Sequence, residues 1–378
     1  MAIFILSFVL LFAYYCLISY YHNAWMQIPV FNPSSFQASE KISVLIPARN
    51  EERNIQSCLD VLLHQTYPPH LLEIIVIDDH STDSTADVVR QYHSRGVKLL
   101  LLKDVLANDN SIIAYKKKAI EAGIAKATGT LVVTTDADCA AGENWIASIA
   151  AFHAATKAFF IVSPVKIKAG RSVLSIFQCM DFSILQGITA ASVSKNFHRM
   201  CNGANLAYEK EIFYGVKGFE NIDHIASGDD MLLMDKIAAS YPGSISYLNS
   251  KEAIVETLPA ESWKAFFNQR IRWASKAGSY KDKRIMAVLI LVYLLNLCLV
   301  VLLFGSLLYS DWFFFFIIAV FYKTIIEWSF VQKVLRYFAL QQLMPLFPLF
   351  QPLHIVYTVI SGFLGSTGGY TWKGRKVK

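Results

Sequence analysis

An α/β fold with a mostly parallel sheet flanked by helices, joined to transmembrane helices at the N- and C-terminal ends, is what this sequence predicts. Three observations carry that expectation. Short runs of β-branched and aliphatic residues, such as Ile42–Ile46 and Leu72–Ile77, alternate with helix-like segments, a pattern that builds βαβ units and a parallel sheet. Two such runs end in acidic clusters, Asp78-Asp79 and Asp136-Ala137-Asp138. Carboxylates at the carboxyl ends of neighbouring parallel strands face the crevice where open α/β sheets bind ligands. Finally, 54% of the 378 residues are hydrophobic and 17% charged, too apolar for an ordinary soluble domain, so membrane spans are expected.

Residues 2–20 form an apolar run without a charged side chain, long enough to cross roughly 30 Å of hydrocarbon. The basic start, shorter apolar stretch and small-residue cleavage site of a signal peptide are missing, so residues 1–21 read as an uncleaved transmembrane anchor. A polar linker follows, and the composition changes at Lys41. Residues 40–260 read as a cytoplasmic α/β domain, with strands at 42–46, 72–77, 97–102 and 129–135 and helices at 54–64, 81–92 and 116–127. Farther along, the pattern predicts a strand at 159–168, a long helix at 172–194, a short helix at 231–239 and strands at 244–248 and 253–257.

Residues 261–283 carry Trp263, Phe266, Phe267, Ile271 and Trp273 among Lys264, Arg270, Arg272 and Lys276. They read as an amphipathic helix in the headgroup region or, alternatively, as a soluble helix packed on the core. Region 285–365 holds three further apolar stretches, at 285–309, 312–330 and 343–364. Lys323 and Glu327, four residues apart, can pair on one helix face, because charges at that depth must face protein or water. Pro345, Pro348 and Pro352 disfavour a straight helix at the start of the last stretch. Lys333 and Arg336, and the basic tail 366–378 with Lys373, Arg375, Lys376 and Lys378, both point to the cytoplasm. One crossing between them cannot satisfy both, so the proline-rich stretch is expected to be re-entrant or interfacial.

Other classes recede. The net charge of +6 comes without an aromatic-basic stripe, so nucleic acid is not an expected partner. The six scattered cysteines form no Cys-x-x-Cys pair, which signals neither a zinc site nor a disulfide framework and suits a cytosolic globular part.

Chemistry concentrates in a few segments. An Asp-x-Asp pair at a strand end is a natural seat for a divalent cation bridging two phosphates, so Asp136 and Asp138 point to a nucleoside-diphosphate ligand. With them stand Val44–Glu52, containing Pro47, Arg49 and Glu51; Val76–Asp83, containing Asp79; Lys116–Gly123; Gly228-Asp229-Asp230; and Gln269-Arg270-Ile271-Arg272-Trp273. In this order they resemble the motifs of the membrane-bound, inverting family-two glycosyltransferases, in the polysaccharide-synthase-like branch with a Gln-x-x-Arg-Trp motif. His80 stands where that family has Gly.

The resemblance implies a GT-A, Rossmann-like fold and metal-dependent transfer of a hexose from a nucleotide sugar, with UDP as the expected carrier. It implies that Pro47, Arg49, Glu51, Asp79, Lys116 and Asp136 bind the donor, with Asp79 on the uracil or ribose. Asp138, with Asp136, would hold Mg2+ or Mn2+, and the ion would neutralise charge on the departing diphosphate. Asp230 would be the general base, with Asp229 tuning it, since adjacent carboxylates raise each other's pKa. Single displacement gives a β-linked product from an α-linked donor. Gln269, Arg272 and Trp273 would handle diphosphate or acceptor, and Asn202 and Asn205 would line the sugar or acceptor pocket. Each also has a plain structural reading: Asp79 as a turn former, Lys116 as a solvated helix start, Asp229-Asp230 as a helix N-cap.

The expected acceptor is a lipid or lipid-linked glycan at the cytoplasmic membrane, with the bilayer as partner and the protein multi-pass. The alternative is a processive polysaccharide synthase. About four spans barely enclose a pore, so export would need membrane-protein partners or a second copy of the chain. A scaffold with a degenerate domain is disfavoured because donor, metal and base positions are all acidic. A nucleotidyltransferase would need a Gly-rich loop after the first strand, and residues 47–52 contain no Gly.

Overall fold

The computed structural model describes residues 2–33, 37–106, 113–367, 370–372 and 375–377. The chain divides into two compact units. One comprises residues 29–167, 199–258 and 371–378; the other comprises 1–28, 168–198 and 259–370.

The first unit is the α/β unit. Its strands are β1 (Ile42–Ala48), β2 (Leu72–Asp78), β3 (Val97–Leu101), β4 (Leu131–Thr134), β5 (Ala140–Ala141), β6 (Phe160–Val162), β7 (Val165–Ile167), β8 (Leu206–Glu209), β9 (Ile245–Tyr247) and β10 (Val255–Thr257). Seven form one sheet in the order β3-β2-β1-β4-β8-β6-β9. β3, β2, β1 and β4 run parallel, whereas β8 runs antiparallel to both β4 and β6. Val44, Leu45, Ile46, Val76, Ile77, Val132 and Val133 are all buried, which is why these strands read as continuous apolar runs rather than alternating ones. A second sheet, β5-β10-β7, joins the segment after β4 to two later ones.

One carboxylate gathers the amino ends of the parallel strands. Glu73 at the start of β2 accepts hydrogen bonds from Ser43 Oγ of β1 (2.5 Å), Lys98 Nζ of β3 (2.5 Å) and the Thr128 amide ahead of β4 (2.8 Å). Ser43 Oγ in turn accepts the Gly129 amide. The helix Tyr115–Lys126 seats on this sheet through Gly123, where a Cβ would lie 2.9 Å from Ile77 and 3.2 Å from Leu45.

Several elements differ from the expectation. The strand expected at 159–168 is two, β6 and β7, in separate sheets, because Pro164 cannot donate to a ladder. The helix expected from Ser81 begins at Thr85. The amides of Ser81, Thr82 and Ser84 are taken instead by the side chains of Asp78, Asn50 and Glu52. The helix Trp145–Thr156 has no counterpart in the sequence reading; eight of its twelve residues are buried and its exposed end is Ala154-Ala155-Thr156, so it lacks the polar face that marks a helix in sequence. Residues 253–257 begin as a 3-10 turn and extend only from Val255.

The second unit is helical: Ala2–Met26, Val173–Ser194, Trp263–Ala274, Lys283–Gly305, Asp311–Tyr337 and Phe347–Thr367. Among the described residues, five helical segments are long and apolar enough to cross a membrane by length and composition. The fifth, not expected as a span, is Val173–Ser194. Residues 168–198, which by sequence belong to the α/β domain, thus group with the helices. Gln178, Asp181, Ser183 and Gln186 are buried along it, so this helix is packed in protein around much of its circumference. The expected 261–283 helix ends at Ala274, with a 3-10 turn at Ala277–Ser279. The proline-rich stretch is a 3-10 segment, Gln341–Leu346, followed by the helix. In the tail, Lys373 and Lys378 lie outside the described residues, and Arg375–Val377 is a short strand.

Lys323 and Glu327 do pair, at 2.7 Å, both buried. Gln351 accepts from Lys323 Nζ (2.8 Å) and donates to Glu327 (2.5 Å), and the Tyr14 hydroxyl donates to Glu327. Three helices therefore share one neutral, hydrogen-bonded polar cluster, the arrangement in which buried charge is tolerated.

Burial raises the Glu73 carboxyl, but its hydrogen bonds from Lys98, Ser43 and Thr128 outweigh that and hold it down to about 2. A carboxylate with a lowered native pKa stabilises the fold fully above its ordinary value, and that contribution is lost as pH falls through the native value. The protection of β1–β3 amides against hydrogen exchange should therefore decline between pH 4.5 and about 2. Glu73→Gln should abolish this decline and destabilise the unit at neutral pH by about 1–3 kcal/mol.

Candidate active site

The carboxyl ends of β1, β2 and β4 lie at one edge of the sheet, since the three are parallel and adjacent. Ala48 is paired with Asp78, and Leu45 with Thr134. The loops leaving this edge carry the candidate residues.

After β1 and β2, the two loops lock onto each other. Pro47 lies within β1 opposite Ile77, beyond the point where β4 stops pairing. Arg49 Nη1 donates to the carbonyls of Asp79 (2.8 Å) and His80 (3.1 Å). Glu51 is nearly buried; its backbone amide donates to Thr85 Oγ1 (2.8 Å) and its carboxylate accepts from Asn54 (2.8 Å). Arg49 and Glu51, expected to wall a nucleotide, thus brace the loops through these groups. Asp79 is buried, with Oδ1 3.0 Å from His80 Nδ1. His80 adopts φ +53°, a left-handed backbone that suits glycine. Its ring compensates by meeting Asp79 and packing edge-on against Tyr115, 5.6 Å between centroids.

After β4, Asp136 and Asp138 are half-buried. Asp136 Oδ1 lies 2.8 Å from Lys116 Nζ, and the same ammonium lies 3.3 Å from Asp229 Oδ2. Burial alone would lower the Lys116 pKa; the carboxylates of Asp136 and Asp229 outweigh it and raise the value, so this lysine is a fixed cation. Asp230 Oδ2 accepts the Gly203 amide (3.1 Å) and Oδ1 accepts the Met231 amide (2.7 Å), capping the helix Met231–Ser240. A Cβ on Gly203 would lie 3.2 Å from Asp229 Oδ2, 3.4 Å from Lys116 Nζ and 3.7 Å from Asp230 Cβ; a glycine there lets the backbone approach both aspartates. The structure therefore brings Asp136, Lys116, Asp229, Asp230 and the Asn202-Gly203 turn together.

Asp138 Oδ2 is 3.4 Å from Thr257 Oγ1 on β10. Asp136, Asp138 and Cys139 each place one donor atom within 4.8 Å of the others. Burial first, then Asp136 and Asp138, push the Cys139 thiol well above its ordinary range. The carboxylates of Asp136 and Asp138 are a hard oxygen donor set that fits Mg2+ or Mn2+.

Two expectations about asparagine separate. Asn202 forms a local turn, its Oδ1 accepting the Ala204 amide (3.0 Å). Asn205 is fully buried: Nδ2 donates to the carbonyls of Pro164 and Ala253, both at 2.8 Å, and Oδ1 accepts from Trp145 Nε1 (2.9 Å). Its side chain joins the residue ahead of β7, the 3-10 turn Lys251–Ala253 and the helix at Trp145; it lines no pocket, because all its polar atoms face protein.

Gln269, Arg272 and Trp273 lie in the helical unit, on the helix Trp263–Ala274, capped by Ser262. Sequence reasoning passed over Arg270, the buried member of that motif. Its Nη2 pairs with Asp181 (2.8 Å), and its guanidinium sits 4.3 Å from the Trp273 ring centre. Asp181 also accepts from Tyr357 Oη (2.7 Å) and lies 3.2 Å from His354 Nδ1. The only forewarning in sequence was an Asp inside the apolar 172–194 segment, which needs a buried cation.

Comparison with known proteins adds a family context. The model for glycosyl transferase family 2 matches residues 43–215, and that for glycosyl transferase family group 2 matches residues 131–331. The chain is 28% identical over 242 residues to Probable glycosyltransferase YdaM of Bacillus subtilis (strain 168), covering 62% of this chain and 54% of that one. It is 25% identical over 243 residues to poly-beta-1,6-N-acetyl-D-glucosamine synthase of Staphylococcus epidermidis, covering 64% and 55%. The chain thus spans about half the length of the curated relatives it matches. Among solved structures, the mannosyltransferase PcManGT from Pyrobaculum calidifontis, in complex with GDP-Man and Mn2+, shares the fold, with TM-score 0.59 and 18% identity over 96% of this chain and 98% of the other.

Asn205→Ala should strand two carbonyls and an indole N–H in the core, lowering the stability of the α/β unit by about 3 kcal/mol. Thermal unfolding in detergent micelles would measure this; an unchanged midpoint would mean that the amide is dispensable.

Proposed function

The chain belongs to glycosyltransferase family 2, and on that premise we propose that it is an inverting hexosyltransferase using a nucleotide sugar, with UDP as carrier. The acceptor is a lipid or lipid-linked glycan, and the α/β unit works at the cytoplasmic face of the membrane. The observation that carries this reading is the convergence of Asp136, Asp229 and Asp230 around Lys116 at the sheet edge.

The residues divide the work as the chemistry requires. Asp79, buried at the end of β2, takes the nucleoside. Asp138, with Asp136, would hold Mg2+ or Mn2+, which when bound neutralises charge on the leaving diphosphate. Lys116 offsets part of the charge of the carboxylates that surround it, so that the anionic donor meets a smaller net negative field. Asp230 is fixed by two backbone amides, and each of its oxygens retains a second lone pair. One of them accepts the proton of the acceptor hydroxyl as that oxygen attacks the anomeric carbon. The motif assigns Gln269, Arg272 and Trp273 to diphosphate or acceptor handling.

Processive synthesis is the second reading. It is favoured by the Gln-x-x-Arg-Trp motif and by the similarity to a polysaccharide synthase. Product length on incubation with labelled donor distinguishes the two: single additions support the first reading, and a ladder supports the second.

Asp138→Asn should abolish metal-stimulated transfer, and turnover equal to wild type would refute the metal assignment. Asp230→Asn should lower kcat by roughly 100-fold or more while leaving nucleotide-diphosphate affinity, measured by calorimetry, within a few-fold. Loss of nucleotide binding would move Asp230 from base to donor site.

A further inference from the structure

Lys117 follows Lys116 at the start of the helix Tyr115–Lys126. Neighbouring helical residues point about 100° apart, so while Lys116 reaches Asp136 and Asp229, Lys117 turns inward. It is fully buried, at 0% exposure. Its Nζ donates to the carbonyls of Ile222 and Ile225, both at 2.6 Å. These belong to the turn-rich stretch Phe219–Ser227, which leads directly into Gly228-Asp229-Asp230.

That stretch has few fastenings of its own. Phe219 and Ile222 are buried, but Glu220, Asn221, Asp223 and His224 are exposed. The backbone bonds within it are short-range turns, Ile222 to Phe219 and Ile225 to Ile222. Gly228 follows at φ +80°, a conformation open chiefly to glycine. Lys236, from the helix after Asp230, donates to the carbonyls of Gly218 (2.6 Å) and Glu220 (2.9 Å) at the other end. A buried ammonium is costly unless its protons meet acceptors. Here the acceptors are carbonyls five to eight residues ahead of Asp230.

We propose that Lys117 is a positioning residue for Asp229 and Asp230. One turn of helix sets both properties of that pair: Lys116 fixes its charge environment and Lys117 fixes its place. The inference rests on the role given above to Asp230.

Lys117→Met tests it, with wild-type protein assayed in parallel. Expected are a kcat lower by roughly 100-fold, the loss associated with a misplacement of about 1 Å, and a donor KM within threefold. Amide exchange should accelerate at least tenfold at 219–230, with β1, β2 and β4 unchanged. A kcat within threefold of wild type overturns the inference, as does faster exchange spread evenly over the sheet, which would mean general destabilisation. Should Lys117→Met not fold, Lys117→Arg keeps the cation but displaces its donor atoms, and the same two readouts support or overturn the inference in the same way. Wild-type protein that transfers no sugar from any nucleotide donor would refute the proposed function, while the exchange pattern would still decide whether Lys117 holds the 219–230 segment.

Discussion

The ammonium of Lys116, set between Asp136 and Asp229, is the contact on which the acidic edge depends. Asp136 and Asp229, from two separate segments, lie 2.8 and 3.3 Å from this one ammonium, and Asp230 follows Asp229 in the chain. Without a cation among them, like charges at such distances would repel strongly or drive one carboxylate to take up a proton. A lysine supplied by the protein keeps them together in the absence of any ligand. The Gly203 backbone comes close to the same cluster because its amide donates to Asp230 Oδ2 (3.1 Å).

The same device recurs away from that edge. Glu73 gathers β1, β2, β3 and the approach to β4 by accepting from a hydroxyl, an ammonium and an amide. Within the helical unit, Lys323–Glu327–Gln351–Tyr14 and Arg270–Asp181–His354–Tyr357 each tie three helices through a polar group that apolar surroundings would otherwise exclude. In each case burial is offset by partners rather than by solvent. Such clusters specify which helix faces meet, because a slipped register would leave charges unpaired. The apolar residues around them supply most of the favourable burial but little of that directionality.

Much of the fold was legible because its signals are local. The β-branched runs of β1, β2 and β4 and the apolar helices at both ends stand out in composition, and the acidic residues stand at the ends of their strands. Elements stayed hidden where the deciding partner is distant in sequence. Ser81–Ser84 reads as a helix start, but Asn50 and Glu52 capture the amides of Thr82 and Ser84. Trp145–Thr156 has no polar face to betray it, and a single proline divides β6 from β7. The Val173–Ser194 segment reads as part of the α/β domain because it lies inside it in sequence, yet its buried partners include Arg270 and Tyr357.

The site divides in the same way. Sequence by itself determined which residue types stand at the strand ends, since hydrophobic runs and turn residues fix where each loop begins. It therefore identified the acids Asp79, Asp136 and Asp138, whereas Asp229 and Asp230, which precede a helix rather than end a strand, were marked by their resemblance to the family's acidic motif. Only the tertiary structure decided which of these face one another, that Lys116 lies among them, that Asn205 is a buried brace and that Lys117 holds the loop before Asp229. The physical reason is range: strand propensity and burial act over a few neighbouring residues, whereas hydrogen bonds and charges pair groups that only the folded chain brings within about 3 Å.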